Sequence, residues 1–151
     1  MPYRATEPNL LLPFLRPFYD AVAPLAWLLV RCAAGLILAY HGWGKIARGP
    51  FTVAPQFAAL GFEPAVPIVF VLIAVEFVGG LGIAVGLFTR FFAAAAAIEM
   101  GVLTFHVYWG AGFPWLKGGF EYVLLWGLIL LAIALRGGGP YSLDRAIGKE
   151  L

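Results

Sequence analysis

The chain has 151 residues, of which 62% are apolar and only 12% charged, where ordinary soluble domains carry about 25% charged residues. Ten Lys and Arg against eight Asp and Glu leave a formal charge of +2, too small for a polyanion footprint, so no nucleic-acid partner is expected. The single cysteine, Cys32, excludes an internal disulfide framework and any cysteine-rich metal or iron–sulfur site. A mean hydropathy of +0.91 makes the lipid bilayer the first expected partner.

Residues 1–20 read as an N-terminal arm, cytoplasmic or interfacial, in which Pro13, Pro17 and Pro24 argue against one long regular helix. A cleaved signal peptide is not expected, because Arg31 splits the apolar run and no small-residue cleavage site follows it. Residues 21–151 read as a single membrane domain. A bilayer core of about 30 Å needs about 20 apolar residues as a helix. Ala21–Tyr40 is the first such span, interrupted by Arg31. The link from His41 to Pro67 carries Phe51, Phe57, Leu60 and Phe62, so part of it lies on the membrane surface or folds back over the helix ends. Val66–Leu87 is the second span, with Glu76 at its middle, and the turn Gly86–Arg90 leads into the third, Phe91–Trp109, with Glu99 and His106. A Gly/Pro-rich link leads to the fourth and shortest, Gly119–Leu135, with Glu121 near its start. Gly137-Gly138-Gly139-Pro140 ends it, and Ser142 can cap a short last helix carrying Leu143, Ile147 and Leu151 on one stripe. That helix reads as an anchor on the inner membrane surface or a docking element. The expected fold is an all-α membrane protein, an antiparallel four-transmembrane-helix bundle with a short C-terminal amphipathic helix.

Arg4, Arg16, Arg90, Arg136, Arg145 and Lys149 fall on one side of this arrangement, and Lys45, Arg48 and Lys117 on the other. The positive-inside bias then puts both termini of a multi-pass protein in the cytoplasm.

The ionisable residues inside the spans carry the functional expectation. Counted from the outer ends, Arg31 lies below His41, and Glu76 below Val66, by about 15 Å each, with Glu99 about 10 Å below His106. One cation and two carboxylates thus share a depth, and Arg31 and Glu76 are expected to pair. Arg31 and Lys45 lie fourteen residues apart and so share a face of the first span. Glu99 and His106, seven apart, share a face of the third. The expected site is interior and open outward, with Arg31, Glu76 and Glu99 deep and His41, Lys45, His106 and Glu121 near its mouth. Glu76 and Glu99 beside one arginine can share a proton, with the histidines as a route to outer water. Each element has a plainer reading. Arg31 with one carboxylate can be a structural clamp, His41 an ordinary interfacial residue, and Glu121 a favourable charge at a helix N-terminus. The two histidines match no tight helical metal motif, so no metal is assigned. No covalent cofactor motif, phosphate loop or dinucleotide fingerprint occurs.

Taken in order, Arg31 with Gly35, His41-Gly42-x-x-Lys45, Phe57 to Gly61, Glu76 with Gly79-Gly80, Gly86-Leu87-Phe88-Thr89-Arg90, His106, Glu121 and Gly139-Pro140-Tyr141-Ser142-Leu143-Asp144 make a recognisable pattern. The chain resembles the DoxX family of small four-helix bacterial membrane proteins over residues 24–145. The resemblance implies an integral bundle linked to membrane redox metabolism. The leading functional expectation is an accessory subunit of a membrane redox system, binding a quinone-like or other small apolar molecule at the Arg/Glu/His cluster. Any enzymatic role would belong to a quinone-linked oxidoreductase, with partner subunits or further copies of the chain. The alternatives are a structural or assembly subunit of a respiratory or photosynthetic complex, and, ranked last, a small-solute or proton transporter. Four helices without an inverted repeat suit alternating access poorly.

Overall fold

The computed structural model describes residues 10–151. The first nine residues of the expected arm, and Arg4 of the cation count, lie outside the described residues. Among the described residues the regular elements are all helical. A short 3-10 turn, Pro13–Leu15, leads into α1, Arg16–Arg48. Next come α2, Pro50–Ala58, and α3, Ala65–Val85. They are followed by α4, Thr89–Ala111, α5, Glu121–Arg136, and α6, Leu143–Ile147. Three stretches are long and apolar enough to cross a membrane: Pro13–Arg48, Ala65–Val85 and Thr89–Ala111. The fourth, α5, has 16 residues, or about 24 Å of rise.

The first helix departs from expectation at both ends. It begins before Ala21 and runs through Pro24 without a break. Pro17 sits in its first turn, where the missing N–H has no partner to lose, and Pro24 forfeits a single bond in a helix of 33 residues. At the other end α1 passes Tyr40 by two turns. It stops at Gly49, whose φ of 85° breaks the helix, and Pro50 opens α2 at once. The 41–67 link does fold back: Val53 and Ala54 of α2 bury themselves against Ala65 and Val69 of α3.

The main core joins Ala34 and Leu38 of α1, Ile83 of α3, Ala93, Ala96 and Met100 of α4, and Leu130 and Ile133 of α5. Three glycines bring α1 and α3 into backbone contact. A Cβ on Gly35 would stand 2.5 Å from the amide nitrogen of Ala84, one on Gly80 2.5 Å from that of Ala39, and one on Gly42 2.5 Å from that of Phe77. Such close approach is how helices associate where lipid removes the hydrophobic drive. Gly79 and Gly82 instead face the ring of Phe92 on α4. The outer flanks expose large apolar side chains, Leu29 at 71%, Ile98 at 69% and Leu135 at 72% among them. A water-soluble fold does not leave that much apolar surface bare.

Two helices contain one wide turn each, with π-type hydrogen bonding: Ala74–Gly79 in α3 and Leu103–Tyr108 in α4. The first lies at the middle of α3 and the second toward the end of the molecule that holds α2, hereafter the loop end. The opposite, or turn, end holds the α3–α4 connection and the C-terminal segment.

Candidate functional site

At the loop end, Lys45 of α1 donates from Nζ to Glu76 Oε2 at 2.5 Å. Both side chains are nearly out of solvent. Position 45 lies about one turn beyond Gly42, which touches Phe77, so the register of the α1–α3 glycine contact delivers the ammonium to the carboxylate. Glu76 sits in the wide turn of α3. Such turns add a residue, free the local ladder and recur at functional sites. Glu99 of α4 reaches the same place, close enough to Glu76 for the two carboxyl groups to interact. Its Oε2 is buried and has no hydrogen-bond partner.

These groups line a cavity of about 610 Å³, within the size range of small-molecule sites. Its polar groups are those of His41, Lys45, Glu76 and Glu99, with the phenols of Tyr108 and Tyr122. Phe57, Phe62 and Trp126 supply aromatic walls, and the remainder is largely aliphatic. Lys45 Nζ also stands 6.0 Å from the centroid of the Phe57 ring, within the range of a cation–π contact. Chemically this is an apolar chamber with one internally neutralised ion pair and, beside it, one buried carboxyl oxygen without a hydrogen-bond partner. Among the described residues no three His, Cys, Asp or Glu side chains converge as a metal site.

The expected pairing of Arg31 with Glu76 is corrected. Arg31 lies at the turn end, 1% exposed. Its Nη1 donates to the carbonyl of Ile83 at 3.0 Å and its Nη2 to that of Tyr141 at 2.6 Å. The shared depth assumed that His41 ends the first helix. Measured from the real end, Arg48, Arg31 lies about 25 Å along α1, whereas Glu76 lies about 16 Å from Ala65. Lys45, on the same face four turns on, takes the carboxylate instead.

His106 is corrected as well. Seven residues from Glu99, it would share that face in a regular α-helix. The wide turn at Leu103–Tyr108 shifts the phase by one residue, so Val107 and Tyr108 line the cavity. His106 points outward, its Nε2 3.2 Å from the Leu60 carbonyl and its ring 5.1 Å from that of Phe62. Glu121 accepts from the Trp115 amide at 3.2 Å and opens α5, away from the cavity. Trp109 stacks on Phe120 at 4.7 Å, and Trp115 lies against Tyr122, so neither tryptophan forms the cavity wall. The structure therefore brings together His41, Lys45, Glu76 and Glu99, and leaves Arg31, His106 and Glu121 outside.

Sequence reasoning missed one constellation. Asp144, 2% exposed, accepts from the amides of Phe88 at 2.7 Å and Thr89 at 3.0 Å and from Thr89 Oγ1 at 2.6 Å. It caps α4 from across the chain, where Phe88 is held at a φ of 49°. Ser142 Oγ caps α6 through the Arg145 amide at 3.2 Å, as its sequence position suggested. The only sequence signal for Asp144 was its place in the closing Ser-Leu-Asp run.

The DoxX family model matches residues 26–109. A Haemophilus influenzae protein, described only as an uncharacterized protein, is 32% identical over 139 residues, covering 89% of this chain and 95% of the relative. No solved structure matches the chain.

Proposed function

The chain belongs to the DoxX family, and from that membership and the cavity at the loop end we propose that it is a four-span antiparallel membrane bundle that binds a small quinone-like molecule as an accessory subunit of a membrane redox system. The observation that carries this reading is the unpartnered Glu99 oxygen beside the Lys45–Glu76 pair in an aromatic, otherwise apolar chamber. A quinone head group needs a flat apolar slot and hydrogen-bond partners at its carbonyls, and its reduction consumes protons. Glu99 and the Tyr108 and Tyr122 phenols offer partners, Glu99 beside the Lys45–Glu76 pair can hold a proton, and His41 lies on the way toward the loop end. The quinone supplies the electron chemistry, while this chain orients the ring and keeps water from it.

In this reading α5 is the fourth span, with Trp115 and Tyr122 as its interfacial anchors. The cation asymmetry puts both termini on the cytoplasmic side of the inner membrane. A cysteine in place of Lys149 is then labelled by an impermeant reagent in inverted vesicles and not in intact cells.

The binding test is extraction and quantification of quinone from protein purified in mild detergent. Wild type retains quinone above the detergent background, and Glu99→Gln loses it while the bundle stays folded. Quinone-free wild type in a preparation that still supports the cellular role sinks the reading in favour of a structural subunit.

A further inference from the structure

The cavity continues onto the outside of the bundle. Phe62, Ile98 and Val102 line it and also line an open groove on the flank of α4. The groove extends over Gly61, Gly101, Phe105 and His106. Above Gly101 the space is empty, since a Cβ there would meet nothing within 4 Å. The groove surface is mainly hydrocarbon: Ile98 and Phe105 are 69% and 65% exposed, and of the His106 ring nitrogens Nε2 is engaged with Leu60. At the loop end, by contrast, Phe57, Leu60 and Phe62 lie across the chamber.

Resting on the quinone-like reading of the cavity, we infer that the groove over Gly101 holds the hydrocarbon tail of the same ligand, which enters sideways from the lipid past Ile98 and Val102. The division follows from chemistry. Charged and phenolic partners for a head group converge inside the chamber, while the groove is lined mainly by hydrocarbon with His106 at its side. The three shared side chains make the two compartments continuous. Inside a bilayer a tail gains little by exchanging lipid for protein. The groove therefore acts by leaving room where the tail must pass, and its width selects the ligand.

Gly101→Leu tests this directly. Its Cβ meets no neighbour, the rest of the side chain occupies the groove, and replacing a mid-helix glycine favours the helix. Wild type and variant, in identical nanodiscs, are titrated with 2,3-dimethoxy-5-methyl-1,4-benzoquinone and with its 6-decyl derivative. Quenching of tryptophan fluorescence is the readout, since Trp126 lines the chamber. The expected result is that the variant binds the decyl compound about tenfold more weakly or worse, the cost of forcing atoms into filled space. Binding of the tail-free ring should stay unchanged. If the variant binds both compounds as wild type does, or loses both equally, the tail does not lie in the groove. If wild type binds neither compound, the quinone reading of the cavity falls, and the tail assignment with it.

Discussion

Arg31 and Lys45 stand on one face of the same helix, four turns apart, and both are withdrawn from solvent. Their surroundings differ in kind. Arg31 donates to two backbone carbonyls, Ile83 on α3 and Tyr141 in the C-terminal segment. Around it the protein is closed: Asp144 caps α4, the Asp144 amide donates to Gly86 O at 2.8 Å, and the Phe91 amide donates to Leu151 O at 3.0 Å. Lys45 meets a carboxylate in a wide helical turn, at the edge of a chamber with an unused carboxyl oxygen. An intramembrane cation alone does not mark a functional site. What separates a clamp from a site here is the cavity and not the hydrogen-bond ledger: Arg31 Nε, like Glu99 Oε2, is buried without a partner, but Glu99 lines the chamber and Arg31 does not.

The largest expected effect on folding is therefore at the turn end. Arg31→Leu removes two charge-assisted bonds, a loss of about 3–6 kcal/mol, and takes the arginine from the Tyr141 carbonyl, whereas that of Ile83 still accepts from the Gly86 amide. Unfolding of the purified protein by SDS titration checks it. Arg31→Lys rescues only part, since one ammonium cannot span the fork between Ile83 and Tyr141. If Arg31→Leu instead leaves stability intact and abolishes ligand retention, the division between the two ends breaks.

The next effect is the coupling of each cation to Glu76. A double-mutant cycle of Lys45→Met with Glu76→Gln should give a coupling of about 1–3 kcal/mol, as for residues in direct contact. The same cycle with Arg31→Leu should be additive within about 0.5 kcal/mol, as for distant sites. A reversal of these two results would restore the pairing that span depths counted from sequence had implied.

That reversal of partners shows what a sequence of this kind does and does not disclose. The helical membrane domain follows from apolar run lengths, and the turns from Gly86 and Gly137. Ser142 was legible as a cap because capping is local. The three-body meeting of Lys45, Glu76 and Glu99 was legible only as a set of buried charges. Choosing the partner required the true end of α1, and nothing local in Tyr40 to Arg48 marks it before Gly49-Pro50. His106 was misplaced for a related reason. Face arithmetic assumes 3.6 residues per turn, and the sequence Leu103–Tyr108 carries no mark of the extra residue that its wide turn holds. The role of Asp144 was not legible, although the closing run contains it, because its partners, Phe88 and Thr89, lie more than fifty residues away.

The smallest expected effect on stability is at Glu99, and it is the most informative about the chamber. Its Oε2 makes no bond within the protein, so Glu99→Gln, of equal size, removes no internal partner from that oxygen. The contact of this side chain with Glu76 can be kept by an amide, so the expected change in unfolding free energy is within about 1 kcal/mol, the scale of a single hydrogen bond. The amide still donates and accepts, but it cannot carry a proton. Binding of the tail-free benzoquinone by wild type should then depend on pH through a carboxyl titration, and the Gln variant should lose that dependence while keeping its fold. Glu121→Gln, whose partner is the Trp115 amide outside the chamber, should leave the binding profile untouched. A Glu99→Gln variant that unfolds like Arg31→Leu would make the loop-end cluster a second clamp, equivalent to the first.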